Sequence, residues 1–375
     1  MLDHLEEKKQ DILAAVLKLA VARLPQSKHD EAKRFVAIYY EQVDPEDLQE
    51  RSVEDLYGAA MAHLSFGRSY SSGAPKIRVY NAQIEEHGWA SPHTVIDIVN
   101  DDMPFLVDSV TMEVNRQGYT LHLMIHPVFP TQRDAKGKLK TIADGETGGK
   151  SESFMHVEID RETDPARLKA IEEGLLSVLA DVSHAVADWR AMLDRMSGII
   201  EELDSPPVGL SEAEVTEGRV FLSWVNDGHF TLLGFREYEL LSEKGEDQLR
   251  IVPESGLGLL RDAPPGGMSN SFTESPPSIR KLARLPNLLV LTKANVRATV
   301  HRPGYLDYIG IKRFDAKGKV IGERRFVGLY TSSAYHARLR EIPLLRNKAT
   351  AVIEKAGFSP NSHMGKNLLT ILEAF

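Results

Sequence analysis

The sequence has no cysteine at all, so disulfides, thiolate nucleophiles and cysteine-ligated zinc or iron–sulfur centres are excluded. Apolar runs are short as well, and none approaches the ~20 residues that a membrane-spanning helix needs. The opening residues MLDHLEEKKQ are acidic and helix-forming, which fits neither a secretory signal nor a transit peptide. Nucleotide fingerprints are missing too. Gly256 and Gly258 lack the rest of a dinucleotide motif and do not open a βαβ unit, while Gly365-Lys366 lacks the upstream glycine and the following Ser or Thr of a P-loop. No G-x-S-x-G elbow occurs either. A cytoplasmic protein without its own catalytic machinery, cofactor or metal is the expectation.

What is present is a 375-residue chain with ordinary globular usage, 42% hydrophobic and 26% charged, long enough for two or three domains. Its net charge of −9 is unevenly spread. Residues 278–375 hold 18 Lys+Arg and 6 Asp+Glu, against 27 and 48 in the remainder. The basic residues fall in alternating strands with few aromatics placed for stacking, so docking onto an acidic surface of the same protein or oligomer is expected rather than nucleic-acid binding.

One stretch organises the chain: Thr94 to Tyr119, TVIDIVNDDMPFLVDSVTMEVNRQGY. It reads as a strand, a polar turn with two adjacent carboxylates, and a helix closed by Gly118. Asp102 is placed to cap the helix and Pro104 to open it, while Leu106, Val110 and Val114 form an apolar face that must pack on the sheet just left.

The remaining elements follow from the same signals. Residues 1–72 read as a helical segment, punctuated by Asp44-Pro45 and Ser52 and ended by the Ser/Gly/Pro run before Lys76. Strands are expected at Ile77–Tyr80, Tyr119–Phe129 and Ser153–Ile159, with His122 and His126 on one face of the second and His156 on the matching face of the third. A helix of ~35–40 residues starts at Asp164-Pro165 and stops at Pro206-Pro207; at ~1.5 Å per residue it outruns a small domain. The region 73–205 is therefore taken as one domain including that helix, and 206–335 as a second. Ser211 caps the second domain's first helix, and six mostly antiparallel strands follow, with a short basic helix before the third. Residues 336–375 read as a helical linker that stops in mid-pattern, as though continuing into further domains. The fold class is α+β.

Three sets of residues invite a functional reading. His122, His126 and His156 with Asp97 or Glu158 have metal-ligand chemistry, although a polar sheet face left to solvent or another subunit is expected instead. The turn Asn100, Asp101, Asp102, Met103, Pro104 and Phe105 offers helix N-terminal amides for a carboxylate and an acid for an ammonium group, which is what an amino acid presents. Trp189, Leu193, Met196 and Ile200 continue the long helix's apolar stripe beyond the sheet, as an interface would require.

The segments DDMPFLVDSVTMEVNRQG, WVNDGHFTLLGFREYEL, TVHRPGYLDYIGIKRFDAKGKVIGERRFVGLYTSSAY and SPNSHMGKNLLTILE together resemble the N-terminal region of the large-subunit, NAD-specific glutamate dehydrogenases of bacteria. The resemblance implies an ACT-like βαββαβ domain from about Lys76, a PAS-like domain from Ser211, and C-terminal helices leading towards further modules and a catalytic domain beyond Phe375. It implies a regulatory and oligomerising region that responds to a small-molecule effector such as an amino acid. Its partners would be copies of itself and the downstream domain, which would bind NAD and convert L-glutamate and water to 2-oxoglutarate and ammonium. A purely structural assembly module and a free-standing amino-acid sensor are the alternatives.

Overall fold

The structure is a computed structural model, and it describes residues 2–143, 149–243, 246–264, 266–274, 276, 280 and 282–373. Two compact units result, residues 1–183 with 299–302, and residues 184–298 with 303–375. Among the described residues no helix is long and apolar enough to cross a membrane.

The first unit begins with α1 (Leu2–Arg23), α2 (His29–Tyr40), α3 (Pro45–Gln49) and α4 (Val53–Phe66). Punctuation sets the boundaries. Asp44 accepts from the Glu46 amide with Pro45 at the first helical position, and Ser52 accepts from the Asp55 amide, each satisfying an otherwise orphaned donor. The sheet follows with β1 (Lys76–Tyr80), β2 (Thr94–Asp101), α6 (Leu106–Arg116), β3 (Leu121–Ile125), β4 (Val128–Arg133), β5 (Leu139–Ile142), β6 (Lys150–Ile159) and α7 (Pro165–Glu202), with a one-turn α5 (Ile84–His87) between the first two strands. The strand order is β1-β2-β6-β4-β5, with β3 also on β6. The fold is the ACT-like βαββαβ arrangement, with β1 lying antiparallel on β2 and closing that edge.

The strand expected over Tyr119–Phe129 is two strands. Pro127 has no amide to give a ladder, and the chain breaks there. β3 then pairs with the C-terminal half of β6, and β4 with its N-terminal half.

Side-chain alternation gives this sheet two buried faces. Val99, Leu123, Ile125, Phe129 and Phe154 pack with Phe35, Tyr39, Tyr40, Leu56 and Leu64 of the N-terminal helices in one cluster. Phe35 stacks on Phe129 at 4.6 Å between centroids, and Phe154 stands edge-on to Phe129 at 5.0 Å. On the other face Ile96, Ile98, Met155, Val157 and Ile159 are fully buried, as are Val110 and Val114 of α6 and Ile171 and Leu175 of α7. The Glu113 carboxylate of α6 reaches across to Gly174 of α7, where a side chain would displace it.

In the second unit, α8 (Glu212–Trp224) leads to β7 (Phe230–Glu243), β8 (Glu246–Ile251), β9 (Leu257–Gly258), β10 (Leu289–Arg297), β11 (Tyr305–Phe314) and β12 (Val320–Tyr330). The order β10-β11-β12-β7-β8, with β9 on β7, is an antiparallel PAS-like sheet. Ser211 caps α8 through the Glu214 amide, but the Glu214 carboxylate accepts from the Leu288 amide and so does not complete a reciprocal box. β10 is a single strand with a bulge between Lys293 and Arg297. The short basic helix expected just before it falls partly on residues 277–279 and 281, outside the described residues. Helices at Ser332–His336, Leu345–Lys355 and His363–Glu373 end the chain's described part.

The 38 residues of α7 span both units, its residues up to Ser183 counting with the first and those from His184 with the second. In the second unit Met192, Met196, Ile199 and Leu203 join the core formed by Phe221, Phe230, Phe235, Ile309 and Phe326.

Candidate functional site

β2 reads TVIDIVND, an apolar strand with an acid at its centre. Both faces of this sheet are covered, so Asp97 has no route to solvent and must be neutralised by protein. The antiparallel registers do that directly: Asp97 lies opposite Arg78 on β1 and opposite His156 on β6. Arg78 donates to Asp97 Oδ2 through Nε at 2.9 Å and through its terminal nitrogen at 2.6 Å, and Tyr80 adds its hydroxyl at 3.1 Å. His156 Nδ1 donates to Oδ1 at 2.7 Å. Two residues along the same face, Glu158 Oε1 stands 3.5 Å from His156 Nε2, while its Oε2 accepts from Arg51 at 2.7 Å. The groups alternate in sign across the sheet, Arg78, Asp97, His156, Glu158, Arg51, and end in the loop between α3 and α4.

His63, from α4, completes the cluster with the opposite protonation. Its Nε2 faces the Ile98 carbonyl at 3.2 Å and so carries the hydrogen, and its Nδ1 accepts from the Tyr39 hydroxyl at 3.0 Å. Burial pushes His63 down to about 4. Burial acts on His156 in the same direction, but the hydrogen bonds and charges of Asp97 and Glu158 outweigh it and lift that imidazole to about 9. Glu158, despite burial, is held at about 2 by His156 and Arg51. Asp97 is likewise held well below the carboxylate range: burial opposes this, and His63, His156 and Arg78 overcome it.

His63, Asp97 and His156 bring their ligand atoms within 4.8 Å of one another, which is metal-site spacing. The donors do not fit a cation. Both His63 nitrogens have partners, Asp97 is shared by Arg78, Tyr80 and His156, and a guanidinium already supplies the positive charge. The cluster is a closed hydrogen-bonded array.

The expected grouping of His122, His126 and His156 is corrected by the register. β6 pairs His156 with Ile125 and Val157 with Met124, so His156 shares the face of Leu123 and Ile125, and the N-terminal helices of the same chain cover it. His122 sits in the irregularity between Leu121 and Leu123, bonds Asp160 at 2.8 Å and stacks on His93 at 4.1 Å. His126 lies beyond the end of β3, where burial lowers its pKa and the nearby Asp102 works against that.

The turn before α6 differs from the capping arrangement expected of it. The cap residue is Phe105, in the left-handed region at φ 74°, and no side chain caps the helix. Asn100 is buried and Asp101 ends β2, so neither reaches the helix. Asp101 Oδ2 instead accepts from Ser72 at 2.7 Å, the Gly73 amide at 3.1 Å and Lys150 at 2.7 Å. Asp102 is exposed and gives its own amide to the Ser151 carbonyl. Met103 is half-buried, Pro104 exposed, and the Phe105 ring lies 5.0 Å from that of His301.

Along α7, Met196 is fully buried, Leu193 and Ile200 pack partly against the same core, and Trp189 is 46% exposed with Arg190 over its ring. The neighbouring Asp188 takes the buried position, accepting from the Gly258 amide at 2.8 Å and from Arg261 Nε at 3.0 Å.

Sequence reasoning missed His63, Arg78 and Arg51. An acid in the middle of TVIDIVN was the available signal, because an ionised side chain in a doubly covered strand demands buried partners, and β1 offers Arg78 at the facing register.

These features define a chain with an ACT-like sheet roofed by helices and a PAS-like sheet after it. The glutamate dehydrogenase ACT1 domain family matches residues 35–175, and the glutamate dehydrogenase helical motif 1 family matches residues 342–375. The NAD-specific glutamate dehydrogenase of Halomonas elongata is 39% identical over 99% of this chain and 23% of its own length. Those of Pseudomonas aeruginosa and Mycobacterium tuberculosis are 36% and 29% identical over 93% and 83% of this chain, and 22% and 18% of their own lengths. The chain thus spans about a quarter or less of the curated relatives it matches. NAD does not fit the glycines present here. A side chain on Gly258 would strike the Leu233 carbonyl and one on Gly256 that of Leu260, so these glycines serve a tight turn against β7 and open no helix.

Proposed function

We propose that this chain is the regulatory and oligomerisation region of an NAD-dependent glutamate dehydrogenase, without dehydrogenase activity of its own. The observation that carries the reading is similarity to NAD-specific glutamate dehydrogenases along 374 residues, together with the ACT1 and helical-motif matches. The NAD-dependent conversion of L-glutamate to 2-oxoglutarate and ammonium belongs, on this reading, to a catalytic domain outside these residues. Self-association and docking to that domain use exposed apolar groups, with Trp189 the first candidate. An amino-acid effector is the expected input. At the turn Asn100 to Phe105, Asp102 would take the ammonium and the first amides of α6 the carboxylate, since Asp101 is already engaged by Lys150 and Ser72.

That engagement also favours a second reading, a structural assembly module in which the turn only ties β2 to neighbouring segments. Two measurements test the proposal. Purified chain incubated with L-glutamate and NAD is expected to form no NADH, and formation above a buffer control overturns the assignment. In sedimentation the chain is expected to self-associate, and Trp189→Glu to weaken that association. A monomer at every concentration contradicts the oligomerisation role.

A further inference from the structure

The sheet of the second unit has two edges, and the chain treats them differently. Along β8 the segment 267–269 continues the ladder: the Ile251 amide donates to the Gly267 carbonyl at 2.7 Å and the Ser269 amide to the Leu249 carbonyl at 2.9 Å. β10 ends the other side of the sheet, and among the described residues no strand lies beyond it.

The ladder with β11 shows which backbone groups of β10 are left over. The Lys312 amide donates to the Leu288 carbonyl at 2.9 Å, which makes 288 and 312 a hydrogen-bonded rung. Antiparallel alternation then makes Val290 with Gly310 and Thr292 with Tyr308 the next two. Leu289, Leu291 and Lys293 stand at the rungs between, with N–H and C=O turned away from β11. Asn287 Nδ2 donates to the Leu289 carbonyl at 2.7 Å. Among the described residues nothing bonds the amide or carbonyl of Leu291, and that residue is 41% exposed. An open row of this kind is a template for another strand.

Side chains and charge select a strand that fits, and β10 itself does. In an antiparallel pair of two β10 strands, a two-fold axis at Lys293 would set two lysines face to face, and one at Thr292 would set each Leu291 against a lysine. An axis at Val290 would need the Leu289 carbonyl, which Asn287 already holds, for half of its central bonds. At Leu291 the central bonds use only the free N–H and C=O of that residue. Leucine then faces leucine, Val290 faces Thr292, and no like charges are opposed. Lys293 meanwhile keeps Asp307 at 2.6 Å as its counter-ion.

We propose that the chain pairs with a second copy of itself through β10, antiparallel about a two-fold axis at Leu291, so that the two PAS-like sheets run into one another. The proposal rests on the oligomerisation reading above and gives it a surface other than Trp189. The bulge between Lys293 and Arg297 ends the regular ladder, so the contact is short and dissociates on dilution. Each copy uses its open edge in the pair and its β8 edge is covered, so on this surface association closes at two.

The chain has no cysteine, which makes a single introduced thiol a clean probe. Partners in a hydrogen-bonded antiparallel pair lie about 5.5 Å apart between Cα atoms, inside the range of about 4.4–6.8 Å that a disulfide spans. Under mild oxidation Leu291→Cys is expected to form a covalent dimer at least tenfold faster than Val352→Cys, a control at a residue 46% exposed on another element. In sedimentation equilibrium Leu291→Lys is expected to weaken self-association at least tenfold, and in the parent chain exchange of the Leu291 amide should slow as concentration rises. The cysteine variant and the parent's exchange carry the test if the lysine variant does not fold. A chain that self-associates while Leu291→Cys couples no faster than the control, or while Leu291→Lys associates as tightly as the parent, overturns the β10 pairing and leaves oligomerisation standing. A chain monomeric at every concentration removes both.

Discussion

Asp97 in the first unit and Arg325 in the second occupy comparable places, each buried on an interior strand of its sheet, and each is neutralised in a different way. Asp97 is met by charges from other strands and lies against a helical layer, with Arg78 on one side and His156 on the other. Arg325 finds its counter-charge, Glu323, on its own strand and is otherwise met by hydroxyls and aromatic rings. Glu323 accepts from its Nε at 3.1 Å, Tyr238 and Ser269 accept from its Nη1, and the Tyr238 and Tyr308 rings stand 4.2 and 4.8 Å from the guanidinium carbon. A guanidinium tolerates such a site because it is weakly hydrated and stacks on aromatic faces. The carboxylate has no such recourse and recruits cations from β1 and β6. The chain of charges that results continues through Glu158 to the loop of the helical layer, so in the first unit a buried charge reaches beyond its sheet, whereas in the second it stays where the side chain lies.

The largest expected effect follows from removing the shared acid. Asp97→Asn removes the carboxylate that half-buried Arg78 and buried His156 share, leaving His156 only Glu158, and breaking a buried pair in this way costs about 3–5 kcal/mol; urea unfolding should show the first unit melting well before the second. Arg325→Met should cost about 3 kcal/mol, at the lower end of that range, because Tyr308 continues to donate to Glu323. The loss should be confined to the second unit. Equal destabilisation of both units by either variant would remove the distinction.

A third expectation separates the two by pH. His156 is raised to about 9, so its contribution is complete below an unfolded value of about 6.5 and fades as pH rises from there through 9. His63 is lowered to about 4, so its neutral form favours folding above about 6.5 and that contribution fades as pH falls towards 4. The first unit should therefore be most stable near pH 6.5, and His156→Gln should flatten the alkaline side alone. A profile unchanged by that substitution would place the proton elsewhere.

The smallest effect concerns the turn. Asp102→Asn should leave stability within about 0.5 kcal/mol, because no side chain caps α6. Asp102→Ala should do the same, whereas a capping acid would cost ~0.5–2 kcal/mol on that change. Thermal unfolding of both variants decides between the two.

Much of the element pattern was legible because it rests on local chemistry. Asp44-Pro45, Ser52, Asp164-Pro165 and Ser211 each act within a few residues of themselves, and helices start at each. What depended on register was not legible. A single irregularity between Leu121 and Leu123 and the break at Pro127 decide which face each histidine takes, and nothing within the strand announces them. Along α7, stepping by three or four residues permits either Asp188 or Trp189 to turn towards the core of the second unit, and the structure leaves Trp189 46% exposed. The helix buries the acid because Gly258 and Arg261 await it, and they come some 70 residues later. His63 shows the same limit, since its partners Asp97 and Ile98 lie on β2, beyond the intervening β1 and α5.

The claim that joins these observations is that the buried array fastens the N-terminal helices to the ACT-like sheet as one cooperative body. Native-state hydrogen exchange on the chain and on Asp97→Asn addresses it most directly. The amides of α4 and β2 should open with one common free energy, and Asp97→Asn should lower both by the same amount. Amides of α4 that exchange through an opening of their own, indifferent to Asp97→Asn while β2 is affected, would contradict it.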